Sequence, residues 1–211
     1  HCFLGGRQVE RINSDLTDGS GGLDVTLAKA LPENGNVSFF GLSLAGEFTI
    51  EGTLARSWLL KGGNPNGLPN SDVLRPIWNG ADVTRRSADR WVIDFALKTE
   101  AEAGLYELPF EHVVRVVKPV RDVNKRESRA RLWWRHGEAR PGMREALRGH
   151  QRFIVTSETS KHRYFVWCPV TIAPEHKLVV IPRADDQTFG IFSSRVHVTW
   201  AIAAGSRLGV G

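Results

Sequence analysis

The sequence predicts an α+β fold: strand-rich mixed sheets with a few flanking helices. Three observations point there. Apolar and β-branched residues alternate or run together at 91–97, 152–156, 163–169 and 177–181, each the length of a strand. Helical spacing is confined to short stretches bounded by Gly or Pro. The 211 residues suffice for one domain of ordinary size, or one and a half small ones, burying about 70% of the unfolded surface.

Along the chain, FLGGRQVERI reads as a short strand with the Gly pair as a turn. Residues 13–22 are polar and glycine-rich, hence a loop. VSFFGLSLAGEFTI (37–50) ends as a strand, with a turn at Ala45-Gly46. Residues 55–62 have helical spacing and meet Gly62-Gly63, a helix stop. NPNGLPNSD (64–72) is a run of turn formers. In WVIDFAL (91–97), Val92, Asp94 and Ala96 share one face and Trp91, Ile93, Phe95 and Leu97 the other. Residues 99–117 suit a helix with Leu105, Leu108, His112, Val113 and Val116 in one stripe and a break at Pro109. The basic run 121–136 reads as an extended helix, and Gly142 to Arg148 as a short one begun by Pro141. RFIVTS, RYFVWCPV and KLVVIPR are strands, the first two joined by a polar turn holding Lys161 and His162. From Ser193 onward the spacing of Val196, Trp200, Ala203 and Ala204 is helical. More strand than helix is expected.

Composition excludes several classes. With 41% hydrophobic and 24% charged residues the chain is neither collagen-like nor disordered. Its apolar runs last a few residues where a membrane span needs about 20. No secretory signal is visible at the start. The opening His-Cys and the single Met, Met143, read as a piece of a longer polypeptide. Cys2 and Cys168 are isolated, which excludes a disulfide framework and predicts two reduced cytosolic thiols and no metal site. The net charge of +5 is concentrated: residues 111–170 carry eleven Arg and three Lys against six acids. Arginine forks onto phosphates and guanine edges and stacks on flat rings. A solvated helical face with surface ion pairs is the bland alternative, equal on charge alone.

No phosphate loop, dinucleotide fingerprint, GxSxG elbow or HExxH motif is present. Cys168 lies inside an apolar strand and is a poor nucleophile. Asp185-Asp186 reads as a solvated pair. Asp94 reads as a buried acid satisfied by backbone or arginine more readily than as a catalytic one.

Three stretches are more specific: NSDVLRPIWNGADVTRR (70–86) with WVIDF after it, RLWWRHGEARPGMREAL (131–147), and SETSKHRYFVW followed by TFGIFSSRVHVTWA (157–167 and 188–201). Together they resemble the target-recognition region of the MmeI-like bifunctional restriction-modification enzymes and their class I adenine-methyltransferase relatives. The likeness is carried by Arg75, Pro76, Asn79, Gly80 and Asp82. Trp91, Ile93, Asp94, Phe95, Trp133 and Trp134 follow. Then come Lys161, His162, Arg163, Phe165 and Trp167, and last Phe189, Gly190, Ile191, Ser194, His197, Trp200 and Ala201. RINSDL (11–16) and LPENGNVSFFG (31–41) resemble the stretch by which such a chain leaves the methyltransferase core. The resemblance implies that residues 1–35 end, or link from, that core and that 36–211 form a DNA target-recognition domain. The family's cofactor glycine motif, its NPP-aromatic tetrapeptide and its acidic nuclease motif are missing; the one Asn-Pro, Asn64-Pro65, continues with Asn-Gly. The implied function is sequence-specific recognition of double-stranded DNA, with no catalytic residues and no cofactor in this chain. S-adenosylmethionine would belong to the parent enzyme. The family continues beyond GSRLGVG into a Tyr-rich stretch bearing on base choice, so the recognition sequence is expected to depend on residues further on.

Side chains are assigned by chemistry. Arg121, Lys125, Arg126, Arg129, Arg131 and Arg135 are expected to track the DNA backbone as point charges, about half in contact. Lys161, His162 and Arg163 form either a phosphate clamp or a charged hairpin tip. Arg183, Asp185, Asp186 and Gln187 follow Pro182 as a polar loop able to read guanine, cytosine and adenine edges; a solvated hairpin loop is the equal alternative. Of Trp133 and Trp134, one is core and the other core or a stacking wedge. Trp91, Phe95, Trp167 and Trp200 are expected in the core. Arg75 and Asn79 frame a turn, with Arg75 paired to Asp82 or Asp94. The expected partners are double-stranded DNA and the methyltransferase core of the same polypeptide, with no membrane, in a prokaryotic cytoplasm and on the nucleoid. A stand-alone nucleic-acid-binding or interaction domain, or a nuclease or hydrolase with an unrecognised acidic site, is the competing class.

Overall fold

A computed structural model describes residues 1–12, 18–19, 32–160 and 162–204. Of the sequence expectations, Lys161 and nearly all of the 13–22 loop lie outside the described residues. The chain divides into two compact units, one of His1–Gly35 with Ser194–Gly211, the other of Asn36–Ser193.

In the first unit, β1 (Cys2–Leu4) and β2 (Arg7–Val9) pair antiparallel across Gly5-Gly6. Both glycines have positive φ (56° and 79°), which a two-residue hairpin turn requires and a side chain would oppose. The helix Arg195–Ala204 also belongs to this unit. Trp200 on it is 64% exposed, a correction to its expected core place.

The second unit holds two four-stranded sheets. β3 (Phe39–Phe40), β7 (Arg152–Ser157), β8 (Val166–Pro169) and β10 (Leu178–Ile181) form the first in the order β3-β10-β7-β8. It is antiparallel throughout, with Val180 opposite Val155 and Phe153 opposite Cys168. β4 (Thr49–Glu51), β5 (Leu74–Trp78), β6 (Arg90–Ile93) and β9 (Ala173–Pro174) form the second in the order β4-β6-β5-β9, with β9 parallel to β5. β7, flanked on both sides, is buried from Phe153 to Ser157, apolar over Phe153–Val155 and then continuing with buried Thr156 and Ser157. The strand expected over 91–97 ends at Ile93. Ala96 takes φ 51° and its amide donates to Asp94 Oδ1 at 3.1 Å, so the chain turns there.

Helices fill the connections: α1 (Gly52–Leu59), α2 (Glu100–Gly104), α3 (Glu107–Val116), α4 (Lys118–Asp122), α5 (Glu127–Arg131), α6 (Pro141–Ala146) and α7 (Asp186–Ser193). A capping box starts α2: Thr99 accepts from the Glu102 amide while Glu102 accepts from the Thr99 amide. Pro109 does not break the helix as expected. It sits in the first turn of α3, where no intrahelical partner for its missing N–H is needed. The expected 121–136 helix is two short ones separated at Val123–Arg126, where Asn124 Oδ1 accepts from the Arg126 amide. The mixed α+β class holds, but among the described residues helices cover more of the chain than strands. Phe48, Ile77, Val92, Phe95, Tyr106, Val113, Val117, Phe153 and Val180 lie in one buried cluster. Trp133 and Trp134 join it at 5% and 6% exposure, ring to ring at 5.9 Å.

Candidate nucleic-acid interface

The basic run divides by what each guanidinium touches. Arg121 is 1% exposed. Its Nη2 donates to the carbonyls of Leu44 (3.1 Å) and Arg135 (3.3 Å), its Nη1 to that of Arg129 (3.4 Å). The expectation that it tracks DNA is therefore corrected. It ties three chain segments together beneath the surface, its cation over the Phe48 ring. Arg135 is also turned inward, with Nε donating to Lys98 O at 3.0 Å and Nη2 to Leu97 O at 2.7 Å, over the Trp134 ring. Lys125, Arg126 and Arg131 are exposed on the α4–α5 turn and α5, and Arg129 is half-buried. No ion pair engages these four among the described residues. Arg121 thus anchors the element that presents them.

In the connection between β7 and β8, His162 is exposed and Arg163 half-buried, with Arg163 Nη1 donating to Ser157 O at 3.2 Å. The polar loop expected at 183–187 is short and leads into α7, which already takes in Asp186 and Gln187. Asp185 Oδ1 accepts from the Thr188 amide at 2.8 Å, which holds its carboxyl below the usual range, and Oδ2 accepts from Arg183 Nε at 3.1 Å. Arg183 and Gln187 remain exposed.

Behind that entry the residues of the third stretch come together. Phe165 and Trp167 are two apart on the approach to and along β8, and Phe189 and Phe192 are three apart on α7, so each pair shares a face. The rings stack, Phe165 on Phe192 at 5.1 Å and Trp167 on Phe189 at 4.8 Å. Arg152 lies over the Trp167 ring at 3.8 Å and donates to Ala184 O and to Asp186 at 2.7 Å. It fixes the start of α7 to β7.

Asp94 is a satisfied buried acid. Arg144 grips it through both oxygens, at 2.8 and 2.9 Å. Arg75 pairs with neither Asp82 nor Asp94; it donates to the carbonyls of Val170, Thr171 and Ile172. Burial pushes the Cys168 thiol up to about 12, well away from nucleophilic use. A pocket of about 300 Å³ between Leu42, Arg75, Met143 and Arg144 has each of its arginines already engaged, Arg148 by Glu145, while His150 lies against Pro182 O. Among the described residues no three His, Cys, Asp or Glu side chains gather as a metal site, and no helix is long and apolar enough to cross a membrane.

Sequence reasoning framed the turn at Asn79 but gave no role to Arg85 and Arg86 on the loop joining β5 to β6. Asn79 Oδ1 accepts from the amides of Ala81 (2.8 Å) and Asp82 (3.2 Å). Asp82 returns the contact, accepting from the amides of Asn79 (2.8 Å) and Ala88 (3.0 Å) and from Arg90. This frame holds up two exposed neighbours, Arg85 and Arg86. Two adjacent arginines after an Asn-Gly turn were the available signal.

No family model matches the chain, and no curated protein does. Among solved structures, the chain is similar to the type IIL restriction-modification enzyme MmeI in complex with DNA, with a TM-score of 0.64 at 16% identity. The match covers 95% of this chain and 26% of that one, so the chain spans about a quarter of its structural neighbour. At that identity the likeness establishes a shared fold.

Proposed function

We propose that this chain is the DNA target-recognition domain of a restriction-modification enzyme or adenine-specific DNA methyltransferase. It selects the site and leaves methyl transfer to a core elsewhere in the same polypeptide, which binds S-adenosylmethionine. The observation that carries the reading is a cationic set without an ion pair among the described residues, exposed Lys125, Arg126 and Arg131 with half-buried Arg129, on an element fastened by buried Arg121. Other surface arginines are paired with carboxylates, as in Arg56–Asp89 and Arg140–Glu138, whereas these four make no ion pair among the described residues although Glu127 lies among them, so the net-positive set calls for an anion from outside. The fold shared with an enzyme solved on DNA supports that anion being duplex DNA, and the place of action is then the cytoplasm, on the nucleoid.

The test is duplex binding by the full chain across a salt series. Each phosphate neutralised contributes about −0.9 to the slope of log affinity against log salt. Replacing Lys125, Arg126 and Arg131 by Ala should make the slope shallower by about 2 to 3 and weaken all sequences alike. A wild-type chain with no salt-dependent duplex binding refutes the reading.

A further inference from the structure

The β5–β6 loop and the β7–β8 connection end up side by side. A Cβ placed on Gly80 would lie 2.8 Å from Ser157 Oγ, so a side chain there would have to push that hydroxyl aside, and 3.9 Å from Lys177 O, an ordinary contact distance. The register explains the meeting. β5 ends at Trp78 beside Pro174 of β9, and the Glu175 amide donates to Trp78 O at 2.8 Å. The turn after β9 then enters β10, where Leu178 lies opposite Ser157 at the end of β7. The loop carrying Arg85 and Arg86 and the connection carrying His162 and Arg163 therefore leave the fold at one end.

The acids at that end are already engaged. Asp82 is taken by two amides and Arg90, Asp89 by Arg56 at 2.7 Å, and Glu158 by Lys177 at 3.0 Å. Arg85 and Arg86 meet no carboxylate among the described residues, and Arg163 donates only to a carbonyl. Like charges are held adjacent on a loop whose backbone is fixed at both shoulders, an arrangement that repels itself until an anion arrives and loses little entropy when it does.

We infer that Arg85 and Arg86, with His162 and Arg163 beside them, form a second phosphate-contacting edge that grips the backbone of duplex DNA. The inference rests on the proposed DNA-binding function. The contact is to the backbone rather than to bases, so it sets affinity and register and does not itself distinguish sequences.

The experiment is a salt titration of duplex binding by the full chain, comparing wild type, R85A/R86A and R85K/R86K on a selected site and on scrambled duplex. Loss of two phosphate contacts predicts a slope shallower by about 1.8 in the alanine variant, on both duplexes. The lysine variant, keeping the charges, should return to the wild-type slope. Both substitutions are at exposed positions, and unchanged thermal midpoints will show that the fold is intact. An unchanged slope in R85A/R86A, with wild type binding normally, overturns this inference and leaves the proposed function standing. A loss confined to the selected site and not rescued by lysine overturns the backbone assignment. Equal dependence on these two residues for single-stranded RNA overturns the duplex assignment. Failure of the wild type to bind any duplex overturns both readings.

Discussion

Arg121 and Arg126 lie five residues apart in the same basic run, yet they do opposite things. Arg121 completes the hydrogen bonding of three carbonyls from separate segments, while Arg126 is exposed. Truncating Arg121 strands those carbonyls and leaves a cavity, so Arg121→Ala should cost roughly 3 kcal/mol or more, against under about 0.5 kcal/mol for Arg126→Ala. Urea unfolding of the two variants checks this, and similar midpoints would show that the buried guanidinium adds nothing. Charge counting could not separate the two, but Val113, Val117 and Arg121 recur every four residues, which marks Arg121 as the third member of a buried stripe. Arg183 poses the complementary question. Its Nε is engaged by Asp185 while the rest of the fork faces out. If it reads a base, Arg183→Ala should cost about 1–3 kcal/mol on the selected site and leave scrambled duplex unaffected. Equal weakening on both would make it a phosphate contact.

Elements were legible where local chemistry decides them. The Gly5-Gly6 turn, the turn at Ala45, the β7–β8 pairing and the Pro-started α6 follow from turn residues and alternation. They were illegible where tertiary contacts decide. The 121–136 run has the composition of one helix, but Arg121 must point inward and Arg126 outward, and the chain breaks between them. At the candidate site, the aromatic members of the third stretch were legible as a set, and their stacking of α7 on β8 was not, because nothing local announces which strand a helix will cover. The Arg152 contacts make α7 the element to test. Arg152→Ala removes the hydrogen bonds to Ala184 O and Asp186 and the cation over Trp167. Amides of α7 should then exchange faster by hydrogen exchange while those of β7 and β10 keep their protection. Uniform acceleration would mean that Arg152 supports the sheet instead.

At the scale of the molecule, the stability of the Asn36–Ser193 unit is tied to pH through a pair in its core. His136 and Asp94 are both buried, with Nδ1 3.7 Å from Oδ1. The other ring nitrogen lies 2.9 Å from Ile93 O, an acceptor, so Nε2 carries the proton and donates. Burial lowers the tendency of His136 to charge more than Asp94 raises it, and the imidazole is neutral at pH 7. Burial acts on Asp94 in the opposite sense, but the charges arrayed against it, Arg144 foremost by geometry, hold its carboxyl below the ordinary range. Both groups thus bind protons less readily folded than unfolded. For such groups stability is full above the unfolded value and is lost as pH falls toward the folded one. The loss from His136 should begin near pH 6.5, at up to about 1.4 kcal/mol per pH unit, and that from Asp94 below about pH 4. Half-buried His112, lowered by burial and by Arg115, adds to the first limb with the same sign. Urea midpoints should therefore be flat from pH 8 to 7 and fall between 6.5 and 5. His136→Gln, whose amide can still donate to Ile93 O, should remove most of that fall, and His112→Gln the remainder. Stability that instead rises on acidification to pH 5 would mean that His136 charges against Asp94 in the folded chain, and the neutral assignment would be wrong.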